Sequence, residues 1–335
     1  MSGYEYLKSF GAVGDGVTDD GPALQSALNA CKISKRPLYV DVGTYLINTT
    51  VYISNFVGIT ITGFGESSVL RRTISGSIIN LTSCSRGSIS FIRFEGDGAS
   101  DTNLLLIDGN GTGVLSISNN QFVASGGRGL LILGSSSGQL SSVKILDNLF
   151  LSCAIKSGQA VPGIPQMEAV YCHDSEFSGN QFGVLDLNHK PVAGAVLTDC
   201  RAGNYTNNYH WSNVNGALFS SCSYVSFVGN RWETNDQSGL ICSDMDYVNF
   251  VGNRIHTNSQ LSSGVYDGMS MSNCRHWALS ANTFFDWTVG ASMRYDIKMD
   301  SNCNNNAIVG NIFGGYSVGS ISIGGTGNII SSNVG

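Results

Sequence analysis

A short pattern recurs along the chain: a β-branched or apolar stretch, an asparagine, one variable residue, then a large apolar residue. It reads Asn120-Gln-Phe122, Asn148-Leu-Phe150, Asn180-Gln-Phe182, Asn207-Asn-Tyr209, Asn230-Arg-Trp232, Asn253-Arg-Ile255, Asn282-Thr-Phe284 and Asn311-Ile-Phe313. Asn333 reads as a ninth copy and Ile92-Arg-Phe94 as a weaker, earlier one. Successive copies lie 22 to 32 residues apart. Between them stand short β-prone stretches divided by Gly, Asn and Ser turns. Hardly any helical period follows Cys31. One such unit cannot bury its apolar face alone, whereas stacked units can, each strand pairing with the next coil at ~4.8 Å. A 22-residue step suits one three-strand coil, and longer steps insert loops at a turn. A propeller blade needs ~40 residues or more, and a leucine-rich repeat would show regular Leu spacing. The repeat predicts an all-β, single-stranded parallel β-solenoid.

The repeat asparagines read as structural. Asn tolerates the left-handed backbone of a tight turn, and stacked amides can hydrogen-bond along a solenoid. The apolar residue two positions on, including Tyr209 and Trp232, is expected to face the core. Cysteines share the rhythm. Cys172, Cys222, Cys274 and Cys303 stand eight residues before a repeat Asn, Cys84 eight before Ile92, and Cys200 seven before Asn207. With nine cysteines and no CxxC pair, buried free thiols stacked in a ladder are expected.

Composition narrows the function. Charged residues are 13% of the chain and the net charge is -6, with 18 Lys+Arg. Nucleic acid demands a basic surface, so it is not an expected partner. No run of ~18 apolar residues is present, so no membrane insertion is expected. No phosphate loop stands out. The five histidines lack i, i+4 pairing and the acidic spots lack calcium-loop spacing, so neither metal nor cofactor is expected.

Residues 1–50 read as a cap on the body at 51–335. Phe10-Gly-Ala-Val-Gly-Asp-Gly-Val-Thr-Asp-Asp20 is a turn-rich lead-in. Asp19 or Asp20 can cap a helix whose first turn holds Pro22 and whose apolar stripe is Ala23, Leu24, Ala27, Leu28 and Cys31. A strand, a Gly turn and a second strand follow over 37–47. This opening, with Gly43-Thr-Tyr45, resembles that of the pectate-lyase-like right-handed parallel β-helix superfamily, common in bacteriophage tailspikes and polysaccharide-modifying enzymes. The resemblance is tight over about the first 50 residues and loose over the coil rhythm beyond. Asp41 and Val42 replace the usual Pro, and Lys35-Arg36-Pro37 the usual Gly-Gly. The resemblance implies a homotrimer on a virion tail, made in the bacterial host cytoplasm, acting outside the cell on bacterial surface polysaccharide. Other phage tail proteins are further implied partners. Asp15, Asp19 and Asp20 belong to the fold cap and are expected to be structural.

A glycoside hydrolase needs two carboxyl groups ~5 to 9.5 Å apart. If the residue two after Asn faces inward, those one and three after it face outward. This places Glu233 outside between His210 and His256, with Arg231 and Arg254 beside it. Asp236 follows in the next turn, and Asp267 holds a comparable turn one coil later. Catalysis is assigned to Glu233, Asp236 and Asp267. The alternative is a ladder of paired charges that stabilises the sheet surface. Long insertions on the same edge read as a binding wall, with Glu168, Asp186, Trp211, Tyr266 and Trp287 joining His210, Arg231, Arg254 and His256 as substrate-binding candidates. Asp244 and Asp246 are a second choice at another corner, and Asp296 and Asp300 flank Lys298 as an expected ion-paired strand.

The leading expectation is a phage-type depolymerase that cleaves capsule, O-antigen or exopolysaccharide by glycoside hydrolysis. A lyase or epimerase acting on a uronic-acid polymer is the second, since Arg forks match a sugar carboxylate. A non-catalytic receptor-binding spike or adhesin is the third.

Overall fold

The computed structural model describes residues 3–109, 113–287 and 293–335. The chain divides into two compact units, Met1–Ser175 and Glu176–Gly335. Both are parallel β-solenoids.

The N-terminal unit opens with the cap. The helix Gly21–Ser34 buries Leu24, Ala27, Leu28 and Cys31, and Lys35 ends it in the left-handed conformation. The lead-in carboxylates tie loops together. Asp20, almost fully buried, accepts from the Val13 and Gly14 N–H groups at 2.7 and 3.0 Å. Asp19 accepts from the Gly21 N–H and from the Thr49 hydroxyl at 2.6 Å. Glu5–Tyr6 pairs parallel with Leu38–Tyr39, and Leu38–Tyr39 with Thr60–Arg71, so the cap continues into the solenoid. Beyond it, Val51–Ser54, Gly76–Thr82, Thr102–Asp108, Leu130–Leu133 and Met167–Val170 form one parallel ladder. In-register pairing stacks Ile53, Leu81, Ile107, Ile132 and Ala169 in a buried column. Phe94, Phe122 and Phe150 stack beside it with ring centroids 5.1 and 4.8 Å apart.

In the C-terminal unit the corresponding ladder runs from Ala193–Thr198 through Asn215–Ser220, Leu240–Ser243, Met269–Ser272 and Met293–Met299 to Tyr316–Ser322. Its inward column is Leu197, Phe219, Cys242, Met271 and Met299. All nine cysteines of the chain are free and buried.

One corner of this unit is a continuous amide ladder. Asn180, Asn208, Asn230, Asn253, Asn282, Asn311 and Asn333 pass hydrogen bonds from Nδ2 to the next Oδ1 at 2.9 to 3.1 Å. Each Oδ1 after the first also accepts the backbone N–H of the preceding rung. The second Nδ2 hydrogen goes to a carbonyl one coil back, as from Asn230 to Tyr205 at 2.7 Å. Both donors and both acceptor sites of such an amide are satisfied, which is what lets a polar side chain be fully buried.

Two expectations are corrected here. The left-handed residue is not the ladder Asn but the one before it: Gly179, Asn207, Gly229, Gly252, Ala281 and Gly310 have φ between 54° and 69°. In the fourth copy the ladder residue is therefore Asn208, not Asn207. The slip of one residue inverts the following strand, because strand side chains alternate between faces. His210 pairs in register with Phe182 and Trp232 and is 0% exposed, not outward. Its ring stacks at 4.5 Å on Phe182, and its Nε2 shares a 2.7 Å hydrogen bond with Tyr205 Oη. Tyr209 is a half-buried outward residue instead of a core one. With Asn208 as the rung, Cys200 too stands eight residues before it.

Burial drives the His210 pKa down from 6.5 to about 3. The unfolded chain takes up a proton below pH 6.5 that the folded chain refuses until about pH 3. The neutral ring therefore contributes stability that is complete above pH 6.5 and falls by about 1.4 kcal/mol per pH unit below it. The double variant His210→Phe/Tyr205→Phe lacks this term. Chemical denaturation of both proteins should show the variant gaining on the parent by about 2 kcal/mol between pH 6.5 and 4.5; parallel profiles would place His210 in solvent.

Candidate active site

The row three residues beyond the ladder carries the site. Trp211, Glu233, His256 and Phe285 follow one another in register on the strands Tyr209–Trp211, Arg231–Glu233, Arg254–His256 and Thr283–Phe285. Gly183 starts the row because the Trp211 indole lies over it: a Cβ there would come within 1.9 Å of the ring. The middle of the row opens into a depression of about 300 Å³ lined by Arg231, Glu233, Thr234, His256, Thr257 and Trp287.

Glu233 is its charged centre and is 7% exposed. Arg231 donates to Oε2 from Nε at 2.7 Å and also from Nη2. His256 Nε2 lies 2.7 Å from the same oxygen. The Tyr209 hydroxyl donates to Oε1. Burial alone would raise the carboxyl pKa, but the hydrogen bonds from His256, Tyr209 and Arg231 outweigh it and hold Glu233 at about 2. Burial and the Glu233 charge in turn push Tyr209 up to about 12, so it stays a donor. Tyr209 also carries Arg231 over its ring at 4.9 Å and packs on Trp211 at 4.7 Å. Neither Tyr209 nor the two threonines was singled out from sequence. The residue following the ladder Asn would have given Tyr209 once the register was right.

The structure gathers only part of the expected set. Glu233, Arg231, His256 and Trp287 meet in the depression, and Trp211 lies on the row above. Arg254 is exposed, with its guanidinium 5.8 Å from the Phe285 ring centre. His210 is in the core, for the reason given above. Asp236 is tied to Lys190 at 2.5 Å. Asp267, buried, is held by Arg294 through Nε at 2.9 Å and Nη2 at 2.6 Å. Tyr266 meets Gln237 at 3.5 Å. Asp186 pairs with His189 at 2.6 Å, and its pKa lies below the usual range through that bond. Glu168 belongs to the N-terminal unit and pairs with Arg128 at 2.5 Å. Of the second-choice pair, Asp246 binds His276 at 2.6 Å and Asp244 binds Asn273 at 2.7 Å.

One acidic group departs from its expected role. Asp296 does not share an ion-paired strand surface with Asp300 and Lys298: it is 0% exposed, and Asp300 instead accepts from Ser272 and Asn273. The Gly314 N–H donates to Asp296 Oδ2 at 3.2 Å. Burial first, and the charge of Asp286 second, raise Asp296 to about 7. Among the described residues, no group of three His, Cys, Asp or Glu side chains is placed to hold a metal ion.

The family model described as rhamnogalacturonase A/epimerase, pectate lyase-like, matches residues 7–215. The chain belongs to this family. No curated protein matches it. Solved structures similar to this member of the family include the A-module of the Azotobacter vinelandii mannuronan C-5 epimerase AlgE4, at 14% identity and TM-score 0.70 over 98% of this chain and 100% of that one. DFA-IIIase from Arthrobacter chlorophenolicus A6 is similar at 12% identity and TM-score 0.76, covering 98% and 94%. Tailspike protein 2 from an Escherichia coli O157:H7 bacteriophage is similar at 16% identity and TM-score 0.73, covering 96% of this chain and 46% of that one. The chain thus spans about half of that tailspike. Likeness at this level of identity establishes the shared solenoid.

Asp296 gives a measurable signature. Its folded pKa is raised, so its contribution to stability is complete below pH 3.8 and is lost as pH rises through about 7. Asp296→Asn keeps the acceptor for Gly314 and removes the titration. Relative to this variant, the parent should lose about 3 kcal/mol of unfolding free energy from pH 4 to pH 7. An unchanged difference would mean the carboxyl is ionised in the fold.

Proposed function

We propose that this chain is a tailspike-like depolymerase that binds and cleaves bacterial surface polysaccharide (capsule, O-antigen or exopolysaccharide) at the depression around Glu233. The observation that carries the reading is the state of Glu233: a carboxylate held ionised, almost buried, at the floor of an open, aromatic-flanked depression. Glycoside cleavage passes through an oxocarbenium-like, positively charged transition state. A preorganised anion stabilises that charge, as electrostatic catalysis requires. Trp211, on the same row, and Trp287, at the depression, offer flat apolar faces for sugar rings. Glu233 at about 2 holds no proton to give, so it acts as nucleophile or charge stabiliser. The acid must be another carboxyl, for which Asp236 and Asp267 are the sequence-based candidates, each to be released from its cation by substrate.

A second reading rests on Arg254. Its exposed guanidinium stands in register with Arg231, and Arg231 already holds Glu233. Arg254 could therefore take a sugar carboxylate, as a lyase or epimerase on a uronic-acid polymer requires. That chemistry develops negative charge beside the sugar ring, which a clamped anion opposes, so hydrolysis is favoured. A homotrimer on a virion tail, assembled with other tail proteins and acting at the host surface, completes the proposal.

Incubation with purified capsule, O-antigen or exopolysaccharide from candidate hosts, followed by mass and ultraviolet analysis of the products, decides among these. Fragments that gain one water per cut mark a hydrolase, and ultraviolet-absorbing unsaturated ends mark a lyase. Binding without fragments marks a receptor-binding spike. Glu233→Gln should lower turnover about 100-fold or more. Parent-level turnover in that variant would remove Glu233 from the chemistry.

A further inference from the structure

Both ring nitrogens of His256 are engaged. The Trp287 indole N–H donates to Nδ1 at 2.7 Å. Indole nitrogen is a donor only, so Nδ1 must be the acceptor and the imidazole proton resides on Nε2. That nitrogen faces Glu233 Oε2 at 2.7 Å. The Arg231 Nε–H has hydrogen-bond geometry to both Glu233 Oε2, at 2.7 Å, and His256 Nε2, at 3.1 Å, and the nearer, ionised carboxylate is the stronger acceptor of the two. The ring has little freedom to move. It is 1% exposed and stacks on Phe285 at 4.5 Å with the planes 14° apart. Glu233 and Arg231 face it from the neighbouring strand, Arg254 belongs to its own strand, and Asp286 lies between Phe285 and Trp287 in the chain.

Trp287 is the opposite case. It is 64% exposed and lines the depression. Its N–H edge is spent on His256, while its ring face is left for a ligand. The two uses do not compete, because a sugar stacks on the face and the hydrogen bond leaves in the ring plane.

We infer that Trp287, His256 and Glu233 form a positioning relay, in which the indole that meets the substrate anchors the imidazole through Nδ1 and the imidazole holds the Glu233 carboxylate through Nε2–H. His256 is then a positioning residue that keeps its proton throughout, not an acid or base. The inference rests on the proposed role of Glu233 for its link to turnover, but not for its geometry. It ties ligand seating at Trp287 to the orientation of the charged group two side chains away. A histidine in a polysaccharide cleft is otherwise a natural general acid–base candidate; here neither nitrogen is open to a substrate.

Two measurements on the intact chain test this. Nitrogen-15 NMR with labelled histidine should show His256 wholly as the Nε2–H tautomer in the parent. Trp287→Phe keeps an aromatic ring but removes the N–H, and should move the Nδ1 resonance toward that of a nitrogen with no indole donor while Nε2 stays protonated against Glu233. An Nδ1–H tautomer in the parent, or spectra unchanged by Trp287→Phe, would overturn the relay. This readout needs no turnover, so it decides the point even if no polysaccharide is cleaved. Where cleavage is found, His256→Gln, whose side-chain amide can replace the Nε2–H donor, should retain turnover within about fivefold, and His256→Ala should lose about 100-fold. Equal losses in both, with melting temperatures like the parent's, would make His256 a proton-transfer group and refute the relay.

Discussion

The Asn ladder is the constraint on which the rest of the C-terminal unit depends. A side-chain amide has two donors and a two-site acceptor, and the stack uses all of them between one coil and the next. Because the partners are other rungs and backbone groups, a coil shifted by one residue would leave several buried polar atoms unpaired, at ~1–3 kcal/mol each. Register is therefore fixed at that corner. Alternation then decides, two and three residues later, which side chain enters the core and which faces outward. Trp232 inside and Glu233 outside follow from Asn230 alone. The N-terminal unit uses the same device, with Asn120 accepting the Ile92 N–H and donating to Asn148.

On that frame, hydrogen-bond supply separates buried groups that burial alone would treat alike. Glu233 and Asp296 are both carboxyls removed from water. Three side chains donate to Glu233 and hold it at about 2, while Asp296 has two glycine N–H groups, the neighbouring Asp286 charge, and a value of about 7. Asp236 and Asp267 each meet one cation.

Much of this was legible in the sequence. The 22-residue minimum step, the capping helix after Asp20 and the lead-in before it lie where the pattern put them. The cysteine ladder follows from the same eight-residue offset, the placing of Glu233, Arg231 and His256 together follows from the outward row, and Trp287 was read from the edge that carries the insertions. What was not legible has a physical cause. Asn serves both as a left-handed turn residue and as a ladder rung, so Asn207-Asn208 is ambiguous by one position. Two signals resolve it: four other copies put Gly in the turn position before the rung, and Cys200 regains its offset only if Asn208 is the rung. The slip moved His210 outward and Tyr209 inward. Asp296 was misread because a charged residue close to Lys298 looks solvated in sequence, whereas the backbone at Gly314 and Gly315, 18 and 19 positions on, packs against its carboxyl. The ion pairs that occupy Asp236 and Asp267 join residues 46 and 27 positions apart, beyond any local pattern.

The register at the fourth copy is the claim from which the site's composition follows, and two point variants test it by thermal unfolding. Asn207→Gly should leave the melting temperature unchanged or higher, since glycine suits a left-handed residue at φ 54°. Asn208→Ala should destabilise the protein by about 2–4 kcal/mol, since it strands the rungs on either side. A stable Asn208→Ala together with a destabilised Asn207→Gly would contradict the account, returning His210 to the surface and Tyr209 to the core.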